Sequence, residues 1–303
     1  MSPILIALLA PALWAAGNHI DKYLVDRRMT DAGVGAALVF SALVGVPMAV
    51  VFWLLHPAVT AMRPDHAALL TFNGALYVIS LWPYLLALQR DDAAVVVPLF
   101  QLTVVFSYAL GLIFLGEQLT LLEAGASALI IAGSLLLTVH WRAGMRLKHD
   151  LLLLMVAAAF MNALNWFLFK FVAIQEDFFV SSFWEYTGFG MAAAGLLLIP
   201  VCRREFFRVL GTNSRQVIGL AGANEILALG AKIATNVASL ALPLAVISTI
   251  HSLQAPFVLF FGLILSAVTP RHYLQDNVPA NVFLQRMTAI VLIVVGTIGL
   301  SLL

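Results

Sequence analysis

Long apolar runs of about twenty positions, separated by short polar breaks, fill this chain from end to end. A bilayer core of about 30 Å needs about 20 apolar residues per helix. Ten windows meet that length, approximately Pro3–Leu24, Val34–Leu55, Ala67–Leu88, Ala93–Leu115, Leu121–His140, Leu151–Val172, Phe179–Val201, Val217–Leu240, Pro243–Val268 and Leu284–Leu303. The runs are continuous and not ten-residue segments of alternating polarity, and a backbone in lipid must satisfy its own hydrogen bonds. The pattern therefore predicts helices and not a barrel. The expected fold is an all-α membrane protein of ten transmembrane helices.

The first window has no basic segment ahead of it and runs into Asp21 and Lys22. It is expected to be a retained helix and not a cleaved signal peptide. The longest polar breaks, Trp141–Asp150 and Cys202–Gln216, are expected to be connecting loops.

Composition supports lipid as the solvent, because 62% of residues are apolar and 10% charged, where soluble domains carry about 25% charged residues. The single cysteine, Cys202, excludes an internal disulfide and offers no thiolate cluster. No cofactor, metal or nucleic-acid partner is expected. Charge adds an orientation. Arg27, Arg28, Arg90, Arg142, Arg146, Lys148, Arg203, Arg204, Arg208, Arg215, Arg271 and Arg286 fall in the odd-numbered connections, and the even-numbered ones hold Arg63. Short Lys/Arg-rich loops stay cytoplasmic. The odd connections are thus expected inside and both termini outside, in an inner or plasma membrane.

The two halves repeat. A constant shift sets Asn73 against Asn224, Ala87 against Ala238, Leu102 against Leu253 and Gly111 against Gly262. Lys22 matches Lys170 with nearly the same shift, and Gly133 matches Gly296 once an insertion is allowed. Five helices per half is an odd number, so the second copy is expected to be inverted, with a site between the copies near the bilayer midplane. The expected division is residues 1–140, a connecting loop 141–150, and residues 151–303, forming one integral membrane unit.

At these residues the chain resembles the EamA-type family of the drug/metabolite transporter superfamily. The resemblance rests on Pro11, Leu13 and Trp14 with Lys22 eight residues on, and on Ala87-Leu88 followed by a short polar break and Ala93 to Pro98. It rests also on Leu115-Gly116-Glu117-Gln118-Leu119-Thr120, then Gly125 and Gly133. It implies a ten-helix secondary carrier with a central cavity lined by helices one, three, four, six, eight and nine. The second half departs from the pattern, with Val268 where Glu117 would recur and a longer loop from Thr269 to Gln285. The mid-helix acidic residue of small multidrug-resistance relatives is replaced by the Trp14 region, so that group's antiport mechanism does not carry over.

Charged side chains deep in a span cost roughly 2.5–3.5 kcal/mol on insertion scales, so they face a protein interior or a wet cavity. Glu225 and Lys232 are the clearest cases, seven residues apart on one helix face at roughly 10.5 Å of axial separation. Each needs a partner elsewhere, or a substrate. Glu225 is then a protonatable or cation-binding group and Lys232 the receiver of a substrate anion; the other reading is a structural polar network. Lys22 and Lys170 end helices one and six at opposite faces and are candidate gates, with Asp21 and Glu225 as candidate partners for the first and Glu117 and Glu185 for the second. Snorkelling to headgroups is the alternative. Glu117 is expected to cap the next helix or to hold a gate. Glu185 lies about two turns into helix seven, compatible with the interface or the interior.

A softer polar set comprises Asn18, Asn73, Tyr77, Trp82, Gln101, Asn162, Asn165, Asn224, Asn236, His251 and Gln254. Such groups commonly bond neighbouring helices, for about 0.6–2 kcal/mol each. Asn73 and Asn224 stand out by their matching positions, and Ser248, His251 and Gln254 are expected to share one face of helix nine. Pro98 and Pro256 are expected to kink their helices. Gly45, Gly111, Gly125, Gly133, Gly262 and Gly296 are expected to permit close helix packing.

An intramembrane enzyme would need a nucleophile elbow, paired aspartates or a His and carboxylate metal site, and the sequence has no Gly-x-Ser-x-Gly elbow, no aspartate near any helix centre and no His-Glu-x-x-His. A lipid or polyprenyl-lipid translocase would use the same scaffold. The expected function is alternating-access transport, more outward than inward, of a small organic metabolite, amino-acid-like in one reading. Membrane lipids are the other partner and a proton is a candidate coupling ion.

Overall fold

The structure, a computed structural model, describes residues 2–27, 33–90, 99–100, 102–138, 149–212, 215–268 and 280–301. Every regular element among them is helical: α1 (Pro3–Arg27), α2 (Val34–Leu43), α3 (Gly45–Leu55), a 3-10 turn (Pro57–Ala61), α4 (Pro64–Arg90), α5 (Leu102–Leu115), α6 (Leu121–Thr138), α7 (His149–Ala173), α8 (Phe178–Leu198), α9 (Pro200–Thr212), α10 (Arg215–Ser239), α11 (Leu244–His251), α12 (Gln254–Val268) and α13 (Ala280–Ser301). By length and apolarity, 5 described spans can cross a membrane, or 6 if α8 and α9 count as one broken span. Shorter apolar helices run Leu102–Leu115, Leu121–Gly133 and Met287–Gly299. Large apolar side chains such as Leu54, Ile113, Leu198 and Ile226 face outward, as lipid-facing surface does and water-facing surface rarely does. The chain is an all-α integral membrane protein.

Proline chemistry sets the breaks. Pro256 has no N–H for the carbonyl of Ser252, and the helix is interrupted there, between α11 and α12. The break falls at Ser252 and Leu253, between Ser248 and His251 on one side and Gln254 on the other. Pro47 stands in the same relation to Leu43, just ahead of the break between α2 and α3. Pro98 and Gln101 lie outside the described residues, as does the side chain of Lys22.

One expected loop is a helix. Residues 202–212, read from sequence as part of a connection, belong to α9, which turns 97° from α8. Ile199 is extended (φ −77°, ψ 117°) ahead of Pro200, the conformation a following proline favours. Phe206 and Val209 are buried, while Arg203, Arg204 and Arg208 are exposed. An amphipathic helix with this much charge does not register as an apolar span.

Packing is between distant segments. α1 lies on α10 and α12, α7 on α4 and α5, α6 on α13, α5 on α11, and both α2 and α3 on α8. Gly133 and Gly296 bring α6 and α13 together: a Cβ on Gly133 would meet Ala289 O at 2.8 Å, and one on Gly296 would meet Ala126 O at 2.7 Å. Gly125 has open space where its Cβ would be, so the packing role expected of it is not realised. The closest approach that bears on the interior joins α4 and α8. A Cβ on Gly74 would collide with the backbone oxygen of Glu185, and one on Gly188 with that of Thr71.

Candidate functional site

That backbone contact sets Asn73, next to Gly74, against Glu185. Asn73 Nδ2 donates to Glu185 Oε1 at 2.9 Å. From α7, Asn165 Nδ2 donates to Asn73 O (3.1 Å), Asn73 Oδ1 (3.0 Å) and Glu185 Oε1 (3.3 Å). From α10, Asn236 Nδ2 donates to Glu185 Oε2 at 2.6 Å, and Lys232 Nζ lies 3.0 Å from Glu185 Oε1. The ion pair is sealed, with side-chain exposures of 2% for Lys232 and 0% for Glu185. Lys232 also donates to Asn165 Oδ1 (2.6 Å) and Asn236 Oδ1 (3.4 Å), and its ammonium sits 4.9 Å above the Tyr77 ring, a cation–π position. Four helices thus supply one charge-neutral cluster. Burial of both charges is tolerable because each is paired and hydrogen-bonded.

Beside the cluster, His251 packs between Trp14 and Trp166, with ring centroids 4.8 and 4.4 Å away. The Thr235 hydroxyl donates to Ala231 O, so its lone pairs accept from His251 Nε2, 3.1 Å away, in the tautomer carrying that proton. Trp166 Nε1 and the Tyr186 hydroxyl are buried donors with no hydrogen-bond partner among the described residues. Tyr77 stacks on Phe189 and Tyr186 on Phe52. Aromatic faces therefore border the polar groups.

A second buried pair closes one end of the bundle, the end of the even-numbered connections. Lys170, on the last turn of α7, ion-pairs with Glu117 and donates to Leu242 O at 2.7 Å. Glu117 Oε2 accepts from the N–H of Leu244, the first residue of α11. Gly116 takes a left-handed φ of 66°, and the Glu117 N–H donates to Gly111 O. Glu117 therefore caps α11 and not, as expected, the helix that follows it. α6 is capped by Thr120 and Glu123, whose backbone and side-chain groups bond reciprocally. At the same end Trp184 Nε1 donates to Val59 O (2.9 Å), and His66 pairs with Glu176 at 2.7 Å.

The remaining candidates lie apart. Glu225 Oε1 accepts from Ser41 Oγ at 3.0 Å, and Asn224 Oδ1 stands 2.6 Å from where a Gly17 Cβ would be. Asn18 is exposed, Asn162 buried, and Gln254 half-buried. Trp82 is 54% exposed, turned outward from the cluster. Of the candidates, the structure gathers Asn73, Tyr77, Asn165, Glu185, Lys232, Asn236 and His251. Sequence reasoning passed over Tyr186 and Trp166, whose ring N–H and hydroxyl carried no signal inside apolar helices.

No curated protein matches the sequence at a significant level. A solved crystal structure is similar over 99% of this chain and 96% of its own, with a TM-score of 0.58 and 16% identity, a likeness of fold. Residues 1–139 match the EamA-like transporter family, a membrane transporter family of the drug/metabolite type. The resemblance read from the sequence is borne out over these residues.

Proposed function

We propose that this chain is a secondary carrier that moves a small organic metabolite, amino-acid-like in charge and size, by alternating access. The observation that carries this reading is the enclosed Glu185–Lys232 cluster with its amide and aromatic surround. A membrane protein places paired ionisable groups at such depth where a polar solute or ion must pass. Ten spans in two inverted halves, 1–140 and 151–303, are supported by the packing. α1 meets α10 and α12 as α7 meets α4 and α5, and α6–α13 and α5–α11 are self-paired under the same exchange of halves. The Lys170–Glu117 pair serves as the gate of the even end, which loop charge assigns to the outside, and Lys22 as its counterpart at the other.

Proteoliposomes loaded with amino acids, organic acids, nucleosides, sugars and phosphorylated metabolites test this by mass spectrometry. Selective movement of a few related solutes, abolished by Lys232→Ala, is the expected result. Retention of the whole pool by folded protein would remove the carrier reading. A lipid translocase is favoured by one separate feature, an apolar groove of about 530 Å³ between α3 and α8, lined by Val46, Val50, Trp53, Phe183 and Met191 among others. Movement of a labelled lipid between leaflets, with no solute flux, would select it.

A further inference from the structure

Lys232 has no hydrogen to spare. Its three N–H groups face three acceptors, Glu185 Oε1, Asn165 Oδ1 and Asn236 Oδ1, and an ammonium has three donors. An anionic solute that took the place of an amide oxygen would leave two anions on one buried ammonium, so binding at balanced charge requires it to displace Glu185. The displaced carboxylate would be left buried without a counter-charge, which is strongly unfavourable, unless a positive charge replaces the lysine beside it. The surround permits the exchange. Asn73, Asn165 and Asn236 each present both an amide donor and an amide acceptor, so they can hold Glu185 as a carboxylate that accepts or as a carboxylic acid that donates.

We propose that Glu185 and Lys232 form a charge-exchange site: the cargo carboxylate or phosphate takes Lys232, and Glu185 takes one positive charge in return. For a monoanion that charge is a proton, which converts Glu185 to its neutral acid, so anion and proton cross together. For an amino acid it is the cargo's own ammonium. The site's net charge stays at zero either way, and transport is electroneutral. This inference rests on the carrier reading, and it places coupling on Glu185 in preference to Glu225. Glu225 is half-buried, accepts from Ser41 and acts on Tyr77 electrostatically, and shows no contact with Lys232 of the kind Glu185 makes. The other titratable groups facing the cluster are Tyr77 on α4, Tyr186 on α8 and His251 on α11. None of them shares a hydrogen bond with Lys232 in the way Glu185 does.

The test uses full-length protein in vesicles containing a pH dye, with electrical recording on a supported membrane. Each solute that moves in the pooled assay is the probe. A monoanion is expected to carry about one proton and no current, and to accumulate about tenfold per unit of imposed pH difference, since one pH unit is 1.36 kcal/mol. A zwitterion is expected to carry neither proton nor current. In Glu185→Gln the gradient-driven accumulation of an anion should vanish while anion exchange persists, and Glu185→Asp should restore part of it. Glu185→Gln with Lys232→Gln removes both charges, tests folding, and should lose anion transport. Solute movement with net current in the wild type, or accumulation that survives Glu185→Gln, overturns the inference and leaves the carrier reading standing. Absence of any solute movement removes both.

Discussion

The Lys232–Glu185 pair is held by side chains, and the Lys170–Glu117 pair by backbone. Lys232 and Glu185 find their further partners in the amides of Asn73, Asn165 and Asn236. Lys170 reaches Leu242 O, and Glu117 receives the Leu244 N–H. Side-chain amides can rotate and exchange partners without moving a helix. Carbonyl and N–H groups at the α10–α11 junction cannot be released unless the junction itself moves. One pair is therefore suited to trade partners with a solute and the other to register a change in chain position. The chemical types are identical, and the anchorage separates the roles.

The largest effect should come from cutting the first pair. Lys232→Ala leaves the Glu185 carboxylate buried without its counter-charge and should cost about 3–5 kcal/mol, read as a fall in thermal stability in detergent, with transport lost. The double change Glu185→Gln with Lys232→Gln should recover most of that stability, because removal of both charges spares the unpaired one. Its transport should stay absent; a double variant as unstable as Lys232→Ala would mean that the amide shell, and not charge, holds the site.

Lys170→Ala should cost less, about 1–3 kcal/mol, because this pair keeps some exposure, 10% and 15% for the two side chains. In a Cys202→Ser background, a cysteine at Leu242 should then react faster with a membrane-impermeant thiol reagent. Equal labelling before and after the change would deny Lys170 a gating role. Gly188→Ala, which forces α4 from α8, should cost about 1–3 kcal/mol through overpacking and lower solute affinity without touching a polar group. The smallest change, Thr120→Ala, removes a cap remote from both pairs and should cost about 1 kcal/mol, leaving transport unchanged.

Much of this was legible in the sequence. Hydropathy located the helices, and an intramembrane lysine announced its need for a partner. Lys170 could be matched with Glu117 because both close spans at one end. Lys232 could not be matched with Glu185, since the 46 residues between them carry no periodicity that links two different helices. Their meeting depends on Gly74 and Gly188, two glycines that composition alone leaves unmarked. The cap that Glu117 provides was hidden for the same reason, because α11 lies 127 residues away. α9 was missed because a search for uncharged stretches discards an arginine-bearing helix, although Phe206 and Val209 have helical spacing.

The right-angle turn from α8 into α9 also works as a waterline mark. With the exposed arginines of α9 set at headgroup level, that helix fixes how deep α8 reaches. Glu185 is fourteen residues from Ile199, about 21 Å along α8, in a hydrocarbon layer about 30 Å thick. On that placement the ion pair would float past the midline, closer to the opposite shore, and cargo arriving from the α9 side would face the longer swim.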